Sequence, residues 1–464
     1  MFNYDFNQVV PESILQVCRV LEGVGGRAWL VGGCVRDMLL GFVPYDWDIE
    51  IYQMGEKKLI QALKGLGRFE HVGKQFGVYK LWLKGLEIDI ALPRKEIKTG
   101  EGHTAFDVVC DSELAPEQAV LRRDFTINAM MFDPLKDELL DFHGGQAHLQ
   151  TKQLKHVSPA FVEDPLRPLR AMQFAARFGL TLDAQTAEMC KQLLNEAASL
   201  PSARIWQEWL KWSKAEYPSL GLQALKDMGW DMFYPELLAL QGCVQDKGWH
   251  PEGDVWTHTL LVVDEAARLI KERELQGQDK VVLLFTALCH DLGKPLTTAV
   301  LDDGKVVCPK HGEAGIEPSM DFLDRIGAPK WLKKAVAPLV KEHVVHFEAL
   351  LSDESVRCLA HRLRPMHIRL WEVLTEADAC GRHPVPPERP ALAWLKRAQM
   401  LQVANAPAIP IITGKLLLSQ GLKPSVGIGK LLDAAYQAQM RGDFNDRISA
   451  LIWLEKQGVA NANK

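Results

Sequence analysis

The chain has 464 residues, 47% of them hydrophobic and 24% charged, with a net charge of −5. These proportions suit a globular protein of roughly two to four domains and exclude a disordered or collagen-like chain. No apolar run reaches the ~18 residues of a membrane-spanning helix, and the acidic balance argues against indiscriminate nucleic-acid binding while leaving room for a local basic groove. Nine scattered cysteines without a CxxC pair, and an N-terminus without a charged-then-apolar leader, predict buried thiols in a reducing cytoplasm.

Glu12 to Leu21 has the period of a helix, and Ala28 to Val31 reads as a buried strand. Gly32 and Gly33 end that strand, and Val35 to Leu40 opens a helix. A strand running into two glycines at a helix start presents several backbone N–H groups on a concave face. No Cβ obstructs a ligand there, and the helix N-terminus favours an anion such as phosphate. Asp46 and Asp48 follow at a second strand, Trp47 to Tyr52. Residues i and i+2 of a strand share a face, so both carboxylates can hold the same divalent cations. Either motif alone is commonplace, a tight turn or a solvated strand end. Together, with Arg36-Asp37 between them, they point to nucleotidyl transfer by two metal ions.

Residues 57–66 are helical by period, and 69–92 alternate like a hairpin. Asp89, in the last strand of that stretch, is either a third acid of the same site or the polar edge of a half-buried strand. Residues 94–121 are polar and glycine-bearing and read as a long loop. From Arg122 to Met130 apolar and polar residues alternate, with a helical tail also open. Arg122, Arg123 and Asp124 suit a triphosphate and a ribose hydroxyl; taken alone, such a motif is more commonly a surface salt-bridge cluster.

Asp164-Pro165 signals a helix start, with Leu166, Leu169 and Phe174 on a core stripe and Glu163, Arg167 and Arg170 on another face. Asp164 and Arg167 together offer acceptors and donors that can mimic a pairing base; the plainer reading is a capped helix with ordinary ion pairs. Pro168 is expected to remove one helical bond and tilt the first turn. Leu180 to about Leu240 is helical by period, with Trp206, Trp209 and Trp212 as core and Lys211 and Lys214 as cations within reach of RNA.

A second constellation follows: Trp249-His-Pro-Glu-Gly-Asp-Val-Trp-Thr-His258, then His290-Asp291 with Lys294, then His311-Gly-Glu313, His343, and Glu376-Ala-Asp378. Imidazoles and carboxylates in this series converge on divalent metals, and Lys294, a turn beyond His290, could neutralise a phosphate. A purely structural copy of the series is the alternative. Pro384 to Pro390 reads as a rigid linker, and 391–464 as helices without a chemical motif.

Gly32-Gly33-Cys34-Val35-Arg36-Asp37 followed by Asp46-Trp47-Asp48, the stretch Arg122-Arg123-Asp124-Phe125-Thr126-Ile127-Asn128-Ala129, and Glu163-Asp164-Pro165-Leu166-Arg167 resemble the motifs of the class II tRNA nucleotidyltransferase and bacterial poly(A) polymerase family. The order His258, His290-Asp291, Asp378 resembles the HD phosphohydrolase superfamily. The combined resemblance implies an α/β head over 1–142, a nucleotidyltransferase palm with a mixed β-sheet and helices. It further implies an all-α neck over 143–235 binding base and tRNA, an all-α HD domain over 236–383, and a Pro-rich linker with a helical tail over 384–464.

The activity implied is template-independent addition of CCA, from CTP and ATP, to the 3′ end of tRNA in the cytoplasm. Asp46 and Asp48 would hold Mg²⁺, with Asp89 as a further catalytic acid. Gly32, Gly33, Arg36, Asp37, Arg123, Asp124, Asn128, Asp164, Arg167 and Arg170 would hold the nucleotide, Asp124 near its ribose. His258, His290, Asp291 and Asp378 would hold a second divalent metal of unspecified identity, with Lys294, His311 and His343 as further ligands or phosphate contacts. That centre would serve a phosphatase or 2′,3′-cyclic phosphodiesterase. No membrane or protein partner is implied, and self-association stays open. CC-only, A-only and poly(A) addition share the same head motifs. A chain working mainly as an HD phosphohydrolase is a further reading. An RNA-binding relic is a third, which the intact acids and HD series oppose. The loop 94–121, with Arg94, Lys95 and Glu96, is the expected lever that re-aims the Asp164/Arg167 template between C and A addition.

Overall fold

The computed structural model describes residue 6 and residues 9–72, 77–98, 106–382, 384–385, 388–422 and 424–458. The chain divides into two compact units, one of Met1–Arg204 with Leu220–Trp230, the other of Ile205–Ser219 with Asp231–Lys464.

The first unit is built on a seven-stranded mixed sheet. Its strands are β1 (Arg27–Val31), β2 (Trp47–Tyr52), β3 (Arg68–His71), β4 (Val78–Leu83), β5 (Leu86–Ala91), β8 (Met131–Asp133) and β9 (Glu138–Leu140). They run in the order β3-β4-β5-β2-β1-β8-β9, and only the β2–β5 pair is parallel. Ile49 and Ile51, and Ile88 and Ile90, are buried at alternate positions of β2 and β5, while the consecutive Trp29 and Leu30 are both buried, so β1 is covered on both faces. Helix Glu12–Gly23 packs on β1, and its buried Ile14, Val17, Cys18 and Leu21 follow the helical period. The expected hairpin over 69–92 is a three-stranded meander.

Two expectations fail locally. Residues 94–121 are not one loop: β6 (Arg94–Lys98) and β7 (Phe106–Cys110) form an antiparallel ladder, and Pro116–Ala119 is a short helix. Residues 99–105, the tip of the expected lever, lie outside the described residues. The alternating stretch 122–130 is not a strand. It makes two 3-10 turns, Val120–Arg122 and Thr126–Asn128. The Asp124 carboxylate accepts from the Phe125 N–H (2.8 Å) and from Asn128 (3.0 Å), and such local bonds compete with a sheet ladder.

The helix carrying Arg167 and Arg170 begins at Arg167, not at Asp164, and runs to Phe178. Asp164 is extended, and its Oδ1 accepts from the Leu166 N–H at 3.0 Å. Pro168 therefore falls in the first turn, where no helical N–H partner exists to be lost, and the expected tilt has no cause. Glu163 ends a separate 3-10 turn and leaves the Arg167/Arg170 face.

The second unit is helical. Its centre is Gln278–Cys289, in which every residue from Val281 to Cys289 is buried; Val255–Glu272, Lys330–Glu342 and Ile368–Cys380 pack around it. A helix apolar on all sides belongs at the middle of such a bundle. Trp209 and Trp212 are wholly buried here, core residues rather than an RNA platform. Arg389, in the expected linker, bonds Glu372 and, at 3.0 Å, Glu376 on helix Ile368–Cys380. The tail helices Gly414–Ser419, Val426–Arg441 and Arg447–Lys456 close over a small core of Ile412, Leu417, Ala438, Phe444 and Leu454. Among the described residues no helix is long and apolar enough to cross a membrane.

Candidate active sites

In the first unit Gly32 stands between β1 and helix Gly33–Leu39 with φ +75°. A Cβ at Gly32 would lie 2.7 Å from Nη1 of Arg123, so the missing side chain is what lets that guanidinium cross the turn. Asp46 is exposed just before β2, and Asp48 lies on β2 half-buried. Asp48 is in register with Asp89 on the parallel neighbour β5, which puts the two carboxylates side by side. Burial pushes the Asp48 carboxyl up to about 6; Arg123 opposes the shift, while Asp89 and Asp46 add to it. Carboxylates gathered at one rim fit divalent cations, whose charge relieves their repulsion. Asp89 also pairs with Lys80 Nζ at 3.3 Å.

Glu50, two residues beyond Asp48 and buried, is a residue the sequence reading passed over. It pairs with Arg122 at 2.8 Å, lies 4.0 Å from Arg123 and accepts from the Tyr52 hydroxyl at 2.8 Å. The continued i, i+2 spacing Asp46, Asp48, Glu50 was the signal for it.

The other expected nucleotide residues form a connected chain. Arg36 donates to Asp37 through Nε (2.8 Å) and Nη2 (2.6 Å), and through Nη1 to Oδ1 of Asn128 (2.6 Å). Asn128 donates to Asp124, whose Oδ2 accepts from Arg170 Nε at 2.7 Å. Burial would raise the Asp124 carboxyl, yet Arg170 and Asn128 hold it below its ordinary value. Both Asp124 oxygens are thus bonded within the protein. Its geometry is that of a strut, not of a group presented to a ribose. Arg167 donates to the carbonyls of Ala160 (2.7 Å) and Arg122 (2.6 Å), and Asp164 pairs with Arg204 at 3.3 Å.

In the second unit the expected residues meet. His258 comes from helix Val255–Glu272, His290 and Asp291 from the end of Gln278–Cys289, and Asp378 from Ile368–Cys380. Nδ1–H of His290, His311 and His343 each donate to a backbone carbonyl, those of Ala287, Cys308 and Val340, at 2.7–2.8 Å. A carbonyl can only accept, so each ring turns an Nε2 lone pair inward, as metal-ligating histidines do. Around Asp291 stand His290 Nε2 (3.1 Å) and His258 Nε2 (3.8 Å) on the Oδ2 side, and His311 Nε2 (3.4 Å) and His343 Nε2 (3.8 Å) on the Oδ1 side. These contacts lack hydrogen-bond geometry, which leaves both Asp291 oxygens and His290 Nε2 buried without a bond. His258, His290 and Asp291, and separately Asp291, His311 and His343, hold their ligand atoms close enough for one ion. The donor set fits a divalent transition metal.

Burial would raise the Asp291 carboxyl, but His290 and Lys294 hold it well below its usual range; Asp378 is held down likewise by His258. Burial and the neighbouring imidazoles push His343 down to about 3. Lys294 is not a free phosphate contact: its Nζ lies 2.7 Å from Asp291 and donates to Gln245 at 2.6 Å. His250 and Glu252, to which the sequence reading gave no role, join the cluster: Glu252 lies 2.8 Å from His258 Nδ1 and 2.9 Å from His250.

Residues 28–155 match the family described as "Poly A polymerase head domain", 179–240 that described as "Probable RNA and SrmB- binding site of polymerase A", and 255–380 the "HD domain". A "Multifunctional CCA protein" of Pasteurella multocida is 35% identical over 372 residues, 77% of this chain and 84% of that protein. One from Xylella fastidiosa is 37% identical over 369 residues, with the same coverage of both chains. In fold, the chain resembles the Bacillus stearothermophilus CCA-adding enzyme solved in complex with CTP, with TM-score 0.65, 19% identity, and 96% and 98% of the two chains covered. It also resembles the Thermotoga maritima CCA-adding enzyme complexed with tRNA, with TM-score 0.60, 21% identity and 97% of each chain. With head motifs, HD series and long relatives in agreement, the chain belongs to the multifunctional CCA protein family of tRNA nucleotidyltransferases.

Proposed function

We propose that this chain adds CCA to the 3′ end of tRNA, taking CTP and ATP without an RNA template, and that its helical unit carries a metal-dependent phosphohydrolase for tRNA ends. The observation that carries the first part is the in-register pair Asp48 and Asp89 beside the Gly32 turn, with Arg123 laid across that turn. Bound Mg²⁺, held by Asp46, Asp48 and Asp89, would supply Lewis acidity to the attacking 3′-hydroxyl and to the departing pyrophosphate. Arg123 and the backbone N–H groups at Gly33 are the groups placed to hold the triphosphate. Asp164 and Arg167 would present the base edge, Arg167 through the N–H groups it does not spend on the carbonyls of Ala160 and Arg122.

For the second part, His258, His290, Asp291 and Asp378 would hold a divalent ion that activates water toward a phosphoester. The buried, unbonded oxygens of Asp291 are what support an ion there. Purified protein offered tRNA ending before CCA, with CTP and ATP separately and together, tests the first part on a sequencing gel. Two residues added with CTP alone and a third only when ATP is present is the expected ladder. Homopolymer tails, or arrest after CC with both nucleotides, would replace this reading with poly(A) or CC-only addition.

A further inference from the structure

On β2 the residues Asp48, Glu50 and Tyr52 fall at every second position and so share a face. Asp48 stands at the ion rim; Glu50 is withdrawn from solvent, with 1% of its surface exposed. A buried carboxylate is a poor way to stabilise a strand, because desolvation of the charge commonly outweighs its pairing. Folding alone would be served by an apolar side chain here, between the register partners Trp29 on β1 and Ala91 on β5. Instead both Glu50 oxygens are engaged. Oε1 accepts from Arg122 Nη2 at 2.8 Å, Oε2 accepts from the Tyr52 hydroxyl at 2.8 Å, and Arg123 Nη2 stands 4.0 Å from Oε2. Two consecutive guanidiniums thus lean on one anion, and the first is bonded to it. Arg123 gives Nη1 to the Asn128 carbonyl at 3.3 Å, while its Nε is buried without a hydrogen-bond partner. It is drawn to Glu50 without being saturated, as suits a side chain that must still meet an anion.

The bonded arginine has a second attachment: its backbone carbonyl accepts from Arg167 Nη2 at 2.6 Å. A shift of Arg122 is therefore felt by the guanidinium of the proposed base template, and the bond that pins the Arg122 side chain is the one to Glu50. We propose that Glu50 is a positioning residue for the incoming nucleotide. Its one carboxylate, by holding Arg122 and drawing on Arg123, sets both the guanidinium that meets the triphosphate and the guanidinium that meets the base. This rests on the roles proposed above for Arg123 and Arg167. Glu50 itself touches neither nucleotide nor ion and acts through the two arginines, whose geometry must be held tightly by their own supports. Because C and A addition use the same two arginines, loss of Glu50 weakens both additions alike and loosens the rejection of U and G.

The experiment compares wild type, Glu50→Gln, the double variant Glu50→Gln/Arg122→Gln, Tyr52→Phe and Arg123→Ala. The substrates are tRNA ending before CCA and tRNA ending in CC, each offered CTP, ATP, UTP and GTP singly with saturating Mg²⁺. In Glu50→Gln, KM for CTP on the first tRNA and for ATP on the second should each rise about tenfold, with kcat held within about threefold. The ratio of kcat/KM for the correct nucleotide to that for UTP or GTP should fall about fivefold. The calorimetric Kd for CTP should weaken in step with KM. The double variant removes the anion together with its bonded cation, which leaves the charge balanced should Glu50→Gln not fold; it should show the same rise in KM and the same loss of selectivity. Tyr52→Phe keeps the charge and removes one bond to it, and should raise KM about threefold. Wild-type KM in any of these variants overturns the assignment. So does a fall in kcat at constant KM, which would make Glu50 a further acid of the ion site, and so does a raised KM with selectivity intact. Arg123→Ala separates this from the reading beneath it. If KM does not rise there, the triphosphate role of Arg123 fails and the assignment of Glu50 falls with it; a rise there beside wild-type KM in Glu50→Gln removes Glu50 alone.

Discussion

The two centres of this chain use carboxylates in opposite ways. In the head, Asp46 is exposed and Asp48 and Asp89 are half-buried, all at one rim of a sheet and close in sequence or register. In the helical unit Asp291 is nearly sealed, among histidines gathered from helices far apart along the chain. An open rim carries its acids at little cost to folding, because water solvates them when nothing else does. A sealed cluster must have each charge answered: Lys294 pairs with Asp291, and His258 Nε2 hydrogen-bonds Asp378. The same side chain is therefore nearly free of folding duty in one centre and part of the fold in the other.

The largest test of that contrast is Asp48→Ala, which should lower C and A addition about 10⁴-fold while the melting temperature holds or rises. Removing a half-buried carboxyl with a raised proton affinity relieves the folded state; a melt lowered by more than ~5 °C would make Asp48 structural after all. Next comes Asp291→Asn, which should cost about 3–5 kcal/mol of stability in chemical denaturation, since the buried Lys294 would lose its counter-charge. If Asp291→Asn unfolds at the wild-type denaturant concentration, the two centres are alike and the contrast falls.

Chelation should sharpen it further. Stripping divalent metal from the intact protein should lower the stability of the helical unit by about 2.7 kcal/mol if the ion was present at a hundred times its dissociation constant. Hydrogen exchange read on helix Gln278–Cys289 should speed up on stripping, and exchange on β2 should hardly change. Equal acceleration of both segments would contradict the open-rim picture. The smallest effect belongs to Asp164→Ala, for which incorporation of GTP and UTP should rise by an amount equivalent to about 1–3 kcal/mol of lost discrimination. Full selectivity with an earlier melt would leave Asp164 as a turn residue that serves only Leu166 and Arg204.

The same contrast governs what the sequence discloses. The head was legible because its acids and glycines occur in short runs whose spacing is itself a geometry: Trp47–Tyr52 is a strand as read, and Asp46 and Asp48 sit where i, i+2 puts them. Where side chains bond back to their own backbone, period misleads. Asp124 turned an alternating stretch into 3-10 turns, and Asp164 delayed a helix by three residues. The HD ligands were legible as residue types in order. The roles of His250 and Glu252 were not: they lie just before His258, and the bend that carries them back to its ring leaves no mark in their spacing. Lys294 had the right spacing and a different task. One helical turn from His290 also brings it to Asp291, and the nearer charge takes it.

The chain of bonds from Asp37 through Arg36, Asn128 and Asp124 to Arg170 has a consequence for how such an enzyme can be altered. It joins the helix after the glycine turn to helix Arg167–Phe178, which carries Arg167 of the proposed base template, through a segment that belongs to neither. The two helices are therefore not interchangeable parts. Transplanting residues 163–170 from a relative with another nucleotide preference, while keeping the native 122–130, would hand Arg170 a partner set by a different lineage. Preference would then travel only with all three segments together, so the unit of inheritance for base choice would be the strut and both of its ends, not the proposed base template alone.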